Sequence, residues 1–197
     1  MMVYRPMTNN RKRVKHFHEP GDLHELTFSC HDQRPLLTNE HWLRLLSQAV
    51  DAALLNHQFH LHAFVFMPEH VHLLVYPHDV PDIGGFLKAI KRPVSFRIKQ
   101  DLAAKNPRLL DELTVQERPG VTGFRFWQEG PGYDRNLQQP DAIKNSLDYI
   151  HMNPVKRELA RRPENWKWSS ARYFRSDGAE IDSDLPTLTK LPANVWD

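Results

Sequence analysis

The first strong pattern along the chain is an alternation of apolar and polar residues in His24-Glu25-Leu26-Thr27-Phe28-Ser29-Cys30, bounded by Gly21-Asp22 and a polar run. Alternation of this kind predicts a β-strand. Next, Trp42, Leu45, Leu46, Ala49, Val50, Ala53 and Leu54 recur every three or four residues. That spacing predicts an amphipathic helix, capped at Thr38 and running to about Asn56. Gln58 to Phe66 is a second predicted strand, and Met67-Pro68-Glu69 turns directly into a third that reaches Tyr76. So short a turn makes the two strands an antiparallel hairpin. In its register His62 falls roughly opposite Leu74 and His60 near Tyr76.

Asp82 to about Lys105 predicts a second helix, with Ile83, Phe86, Leu87, Ile90, Val94 and Ile98 as its apolar stripe and Pro93 as a possible kink. Its opposite face carries Lys88, Lys91, Arg92, Ser95 and Lys99 without acids, a basic ridge suited to a phosphate backbone. Residues 106–123 are polar and contain proline, as an insertion between elements would be. Phe124 to Gln128 predicts a fourth strand, followed by a glycine-bearing loop, Gly130 to Asn136. A third helix is expected from Pro140-Asp141 to about Asn153, where Pro154 disfavours helical geometry for the residue before it. Ile143, Leu147 and Ile150 form its core stripe. Trp166 to Tyr173 reads as an aromatic clamp leading into a short helix capped by Ser169. Beyond Ser176 the composition suggests a loosely held tail.

The order β-α-β-β-α-β followed by further helices matches an α+β ferredoxin-like antiparallel sheet, with two helices on one face. Val71, Leu73 and Val75 would lie beneath those helices, and His70 and His72 would emerge on the open face. The last long helix can cross that face and bring Tyr149 to the histidines.

Residues on alternate positions of a strand share a face, so His70 and His72 present two imidazoles side by side. Such a pair can grip a metal ion, and it equally suits two ordinary polar residues on a half-buried strand. His60 and His62 repeat the same spacing, and spacing alone does not choose between the pairs. Tyr149 and Asn153, four residues apart, share a helix face beside the core stripe. They are either capping and surface groups or members of a site.

Composition narrows the class. The 197 residues suit one domain with appendages, here an arm at 1–20, a body at 21–175 and a tail at 176–197. No apolar run approaches the roughly 20 residues that span a bilayer, so no membrane partner is expected. Met1 to Pro20 lacks the apolar core of a secretory leader, and the single cysteine, Cys30, leaves no internal disulfide and fits a reducing cytoplasm. The net charge is only +2, but the first 20 residues concentrate Arg5, Arg11, Lys12, Arg13 and Lys15 against the lone acid Glu19. Such an arm could reach toward phosphate.

Met67-Pro-Glu-His70-Val-His72-Leu-Leu-Val, then Tyr149-Ile-His-Met-Asn153-Pro-Val-Lys-Arg, then Trp168-Ser-Ser-Ala-Arg resembles the single-tyrosine transposases of the HUH endonuclease superfamily. The nearest branch is the REP-associated tyrosine transposases. Phe126-Trp127-Gln128 and Gly132-Tyr133-Asp134-Arg135-Asn136 share the likeness, which covers about residues 21–175 in the same order. The resemblance selects His70 and His72, because the family's pair follows the Met-Pro turn. It implies that they bind a divalent metal, Mg²⁺ or Mn²⁺, with Asn153 as third ligand and Tyr149 as nucleophile. It also implies attack on single-stranded DNA, with imperfect-palindrome hairpins as the expected targets, to leave a 5′-phosphotyrosine and a free 3′-hydroxyl. A free tyrosine ionises near pH 10, so presenting a phenolate at neutral pH costs roughly 4 kcal/mol that neighbouring charge or a base must offset. Lys88, Lys91, Arg92, Lys99, Arg135 and the arm residues Arg11, Lys12 and Arg13 are the expected DNA contacts. Glu69 could orient a histidine, but it reads first as a turn carboxylate facing solvent, and His151, two residues from Tyr149, points away from it. The expected state is a monomer or a homodimer. The competing classes are a retired transposase that binds hairpins without cutting them, and a metal phosphohydrolase that uses water.

Overall fold

The computed structural model describes residues 22–130 and 132–191, so Arg11, Lys12 and Arg13 lie outside the described residues. Strand β1 (Leu23–Ser29) follows the predicted alternation. Helix α1 (Glu40–His57) starts one residue later than its predicted cap: Asn39, rather than Thr38, accepts the His41 and Trp42 N–H groups on its side-chain oxygen at 2.9 and 3.3 Å. Satisfying those end groups is worth about 1 kcal/mol. Strands β2 (Phe59–Phe66) and β3 (His70–Pro77) form the expected antiparallel hairpin. Helix α2 (Ile83–Lys105) is capped by Asp82, runs on through Pro93, and buries all six residues of its predicted stripe.

After α2 the chain departs from its sequence pattern. Residues 106–123 do separate α2 from the last sheet strand, but they fold, as α3 (Pro107–Glu112) and a two-stranded hairpin of β4 (Thr114–Arg118) and β5 (Val121–Phe124). Phe124 therefore ends this hairpin rather than starting the fourth sheet strand. Phe126 and Trp127 are core residues, with Trp127 joined to Cys30 by a single bridge and its Nε1 donating to Lys91 O at 3.1 Å. The fourth strand of the main sheet is β6 (Tyr133–Leu137), in the stretch whose glycines predicted a loop. Its alternation is faint because β6 is an edge strand with only Leu137 buried. Gly132 enters it at φ +88°, where an added Cβ would collide with Thr27 O of β1, so the glycine serves strand pairing.

The sheet runs β2-β3-β1-β6 with every neighbour antiparallel, the ferredoxin-like order. Leu26, Phe28, Val71, Leu73 and Val75 pack on one face with Leu46 and Val50 of α1 and Phe86, Ile90 and Ile98 of α2. Helix α4 (Pro140–Lys156) crosses the other face, where Ile143, Leu147 and Ile150 meet Leu23, Ala63, Val65, Met67 and Leu74. It continues past the predicted stop at Asn153, through Pro154. Tertiary contacts hold that last turn: Asn153 is buried against His72, and Arg157 bonds Glu69 at 2.7 Å.

The hairpin register holds at His60, opposite Tyr76, but Ala63 rather than His62 faces Leu74. A bulge between Leu61 and Ala63 makes His62 the extra residue. Leu61 consequently packs under α1 and α2, while Ala63, two residues on, packs under α4. The outer edge of β2 is covered by later chain. Phe66 N and Ser170 N bond Trp168 O and Phe64 O at 2.8 and 3.0 Å, and Trp166 Nε1 donates to Phe66 O at 3.0 Å. Helix α5 (Ala171–Arg175) follows one residue later than its predicted cap: Ser170, not Ser169, is the N-cap residue, although Ser169 Oγ accepts the Ala171 N–H at 3.2 Å. The tail is not loosely held up to residue 191. Thr189 N donates to Leu61 O at 2.8 Å, Thr187 N donates to Asp51 at 2.8 Å, and Leu185 and Leu188 pack on the main core.

Candidate active site

His70 and His72 occupy alternate positions of β3, on the face crossed by α4 and opposite the one that carries Val71 and Leu73. Their rings meet edge to face with centroids 4.7 Å apart. His72 is 4% exposed, and burial, helped by the neighbouring His70, pushes its pKa down to about 3. Burial also lowers the pKa of His70. Both imidazoles are therefore neutral at pH 7, which is the form that offers a lone pair to a metal.

Each ring is oriented by its Nδ1. The Asn153 amide donates to His72 Nε2 at 3.3 Å, which leaves Nδ1 as the N–H, donating to Thr27 Oγ1 at 2.8 Å. His70 Nδ1 lies 3.2 Å from Glu69 Oε1, and Arg157 holds that same oxygen at 2.7 Å. Glu69 is thus largely buried and turned onto a histidine, not outward as expected of a turn carboxylate. Both Nε2 atoms remain unprotonated.

Tyr149 and Asn153 come to this point one helical turn apart on α4. The Tyr149 ring stands edge to face on His72 with centroids 5.3 Å apart, and its side is 43% exposed, so a strand of DNA has access. The tyrosine ring thus contacts His72 of its own chain. His151 points away, as expected: its Nε2 meets Ser170 Oγ at 2.9 Å, its ring contacts Phe174, and burial lowers its pKa to about 4.

Among the described residues no group of three or more His, Cys, Asp and Glu side chains is arranged to hold a metal ion. The set available here is two imidazoles plus an amide. These neutral nitrogen and oxygen donors fit a divalent ion, because turning the Asn153 amide would release the His72 Nε2 lone pair and aim Oδ1 at the same point.

The expected DNA contacts divide. Arg135 is exposed on the site's own face, opposite Glu25 in the β1–β6 register. Lys88, Arg92 and Lys99 are exposed on α2, behind the other face of the sheet, and do not join the tyrosine cluster. Lys91 departs from the ridge: half-buried, it donates from Nζ to Gly130 O at 3.0 Å and lies 5.8 Å from the Phe28 ring centroid, and burial lowers its pKa.

Four further residues belong to the site's surroundings. Lys156 Nζ stands 5.1 Å from the Tyr149 ring centroid; its place seven residues on, two turns along one helix, was a usable signal. Tyr133, 56% exposed, sits opposite Thr27, and Thr27 sits opposite His72, so the three form one cross-strand row. Thr27 and Glu25 of β1 carry no distinguishing sequence signal, because only strand pairing brings them to His72.

The chain's likeness to known proteins agrees with this arrangement. No curated protein matches it significantly. A solved structure described as a REP-associated tyrosine transposase bound to a REP hairpin superposes with a TM-score of 0.65 at 18% identity, over 92% of this chain and 96% of that one. At that identity the likeness concerns the fold. A second solved structure, from Deinococcus radiodurans, gives a TM-score of 0.43 at 20% identity over 75% of this chain and 97% of that one, too low to bear on the fold. The family model described as "Transposase IS200 like" matches residues 23–137, from the start of β1 to the end of β6 and more than half of the 197 residues. By that match the chain belongs to the IS200-like transposases, a family of DNA-cleaving enzymes.

Proposed function

We propose that this chain cuts and rejoins single-stranded DNA, with Tyr149 as nucleophile and a divalent ion at His70, His72 and Asn153. The observation that carries the reading is the meeting of a half-exposed phenol with two neutral imidazoles and a buried amide at one point of the sheet. The phenol oxygen forms a bond to phosphorus as the P–O3′ bond breaks. The phenol gives up its proton, and the departing 3′-oxygen takes one. Covalent capture keeps the phosphodiester's energy, so a second 3′-hydroxyl can reverse the step and join new ends. Hydrolysis by water would lose that energy.

His70, His72 and Asn153 would hold Mg²⁺ or Mn²⁺, and as neutral donors they leave its charge uncancelled. The chemistry such an ion supplies when bound is Lewis-acid polarisation of phosphate oxygens. Lys156 offsets part of the cost of charge developing on the Tyr149 ring, an attraction of about 0.5–1 kcal/mol at an exposed site. Arg135 and the exposed Tyr133 ring flank the same face and suit a phosphate and an unpaired base, at about 1–3 kcal/mol for a stacked base. A hairpin is the substrate to try first, since the structurally similar transposase is bound to one.

A labelled single-stranded hairpin incubated with the protein and Mn²⁺ and run on a denaturing gel tests this. The expected result is a covalent protein–DNA band that disappears in Tyr149→Phe while DNA binding persists. Free cleavage products without an adduct would replace the reading with a hydrolase, and binding without cleavage would replace it with a retired transposase.

A further inference from the structure

Beneath α4 lies a buried carboxylate that the reaction above does not use. Glu25 of β1 is 6% exposed. Its Oε2 accepts the Ser146 hydroxyl of α4 at 3.1 Å, and its Oε1 lies 3.9 Å from His72 Nδ1. Arg135 faces it from β6. Burial raises its pKa, opposed by the Ser146 bond and by Arg135. With His72 neutral, the approach to Nδ1 is not an ion pair. It is a negative end turned toward the ring's N–H.

A carboxylate in a protein interior is costly unless bonded, so this one must be held by specific partners. Those partners belong to two halves of the site. Ser146 stands one turn before Tyr149 and two turns before Asn153, on the same side of α4 as both. His72 belongs to the sheet. Thr27, beside Glu25 on that face of β1, takes the His72 N–H.

We infer that Glu25 is a positioning residue that joins the two halves of the site. Through Ser146 it fixes the helix carrying Tyr149 and Asn153, and its carboxylate, 3.9 Å from His72 Nδ1, backs the Asn153 and Thr27 bonds that keep the proton on Nδ1 and turn Nε2 to the metal position. The inference rests on the proposed metal and tyrosine roles, and two of its readouts stand apart from catalysis.

Glu25→Gln keeps an oxygen for Ser146 and removes the charge. Ser146→Ala removes the tether and keeps the charge. Calorimetric titration with Mn²⁺ alone should give about tenfold weaker binding for Glu25→Gln, the lower end of what loss of an outer partner costs a metal site. Nitrogen-15 spectra of the metal-free protein should show His72 as the Nδ1–H tautomer in the parent and as a mixture in Glu25→Gln. Ser146→Ala should lower the rate constant for adduct formation about tenfold at saturating DNA and Mn²⁺, with KM for DNA unchanged, as loss of orientation does. Ser146→Thr, which restores the hydroxyl, should recover the rate. Unchanged Mn²⁺ affinity and tautomer in Glu25→Gln overturn the inference, as does an unchanged rate in Ser146→Ala. So does an effect confined to thermal stability. If the parent forms no adduct but binds Mn²⁺, the proposed function fails and the Glu25 inference is still decided by affinity and tautomer.

Discussion

Two histidine pairs of the same spacing stand on the two strands of one hairpin, and their surroundings give them different work. His70 and His72 lie on β3, between β1 and β2, where residues of β1, of α4 and of the Met-Pro turn reach them. His60 and His62 lie on β2, the edge, where the tail passes: His62 Nδ1 donates to Thr189 O at 2.8 Å, and His60 Nδ1 lies 3.2 Å from Thr189 Oγ1. The rings of the central pair sit 4.7 Å apart, those of the edge pair 6.3 Å apart, because the bulge pulls His62 out of register. A central strand collects partners from elements on both sides, which is what the proposed site requires. An edge strand must first close its own hydrogen bonds, and its histidines serve that closure.

The largest expected contrast comes from truncating one histidine of each pair. His72→Ala should abolish Mn²⁺ binding and lower adduct formation on the order of 10³-fold, the scale of losing several kcal/mol of charge stabilisation. His62→Ala should leave Mn²⁺ affinity and adduct yield near the parent. Its cost should appear in denaturant unfolding, at roughly 1–3 kcal/mol for the abandoned Thr189 carbonyl and the vacated buried space. Comparable loss of activity in both variants would erase the division between the pairs.

Acidification should separate them further, through the tail that the edge pair holds. Burial lowers the His60 and His62 pKa values below the ordinary 6.5, so the docked tail binds fewer protons than the released one. Tail docking is therefore complete above pH 6.5 and weakens as pH falls below it. Asp184 adds a second step. Hydrogen bonds from Arg44 and Lys167 hold its carboxyl at about 2 against an ordinary 3.8, so its contribution is present above 3.8 and lost as pH falls through about 2. Protection of the Thr187 and Thr189 amides, taken as exchange relative to the intrinsic rate at each pH, should fall in these two stages. Protection that stays constant below pH 6.5 would remove the histidines from the clasp.

The smallest effect tests what surrounds the central pair. Lys156→Gln should lower the adduct rate constant two- to fivefold, equivalent to about 0.5–1 kcal/mol, without changing Mn²⁺ affinity. A change in affinity instead would place Lys156 in the metal's surroundings rather than the tyrosine's.

Much of this was legible in the chain because local periodicity and side-chain placement agree. The stripes of α1 and α2 are buried as their spacing requires, and Val71, Leu73 and Val75 lie under those helices. Elements with little burial of their own were illegible. Tyr133–Leu137 buries one residue and reads as a loop, and the β4–β5 hairpin has no fully buried residue to mark it. The tail reads as loosely held, yet residues 184–189 are fastened by Asp51, His62, Arg44 and Lys167 from distant positions. No local pattern anticipates partners that far along the chain.

By itself the sequence determined that two imidazoles share a strand face and that a phenol and an amide share a helix face, since the periods of strand and helix dictate both. Tertiary structure decided which imidazole pair the phenol meets. It also decided that Thr27, Glu25 and Lys156 surround them, because strand order, a one-residue bulge and the path of α4 arise from packing between segments far apart in the chain.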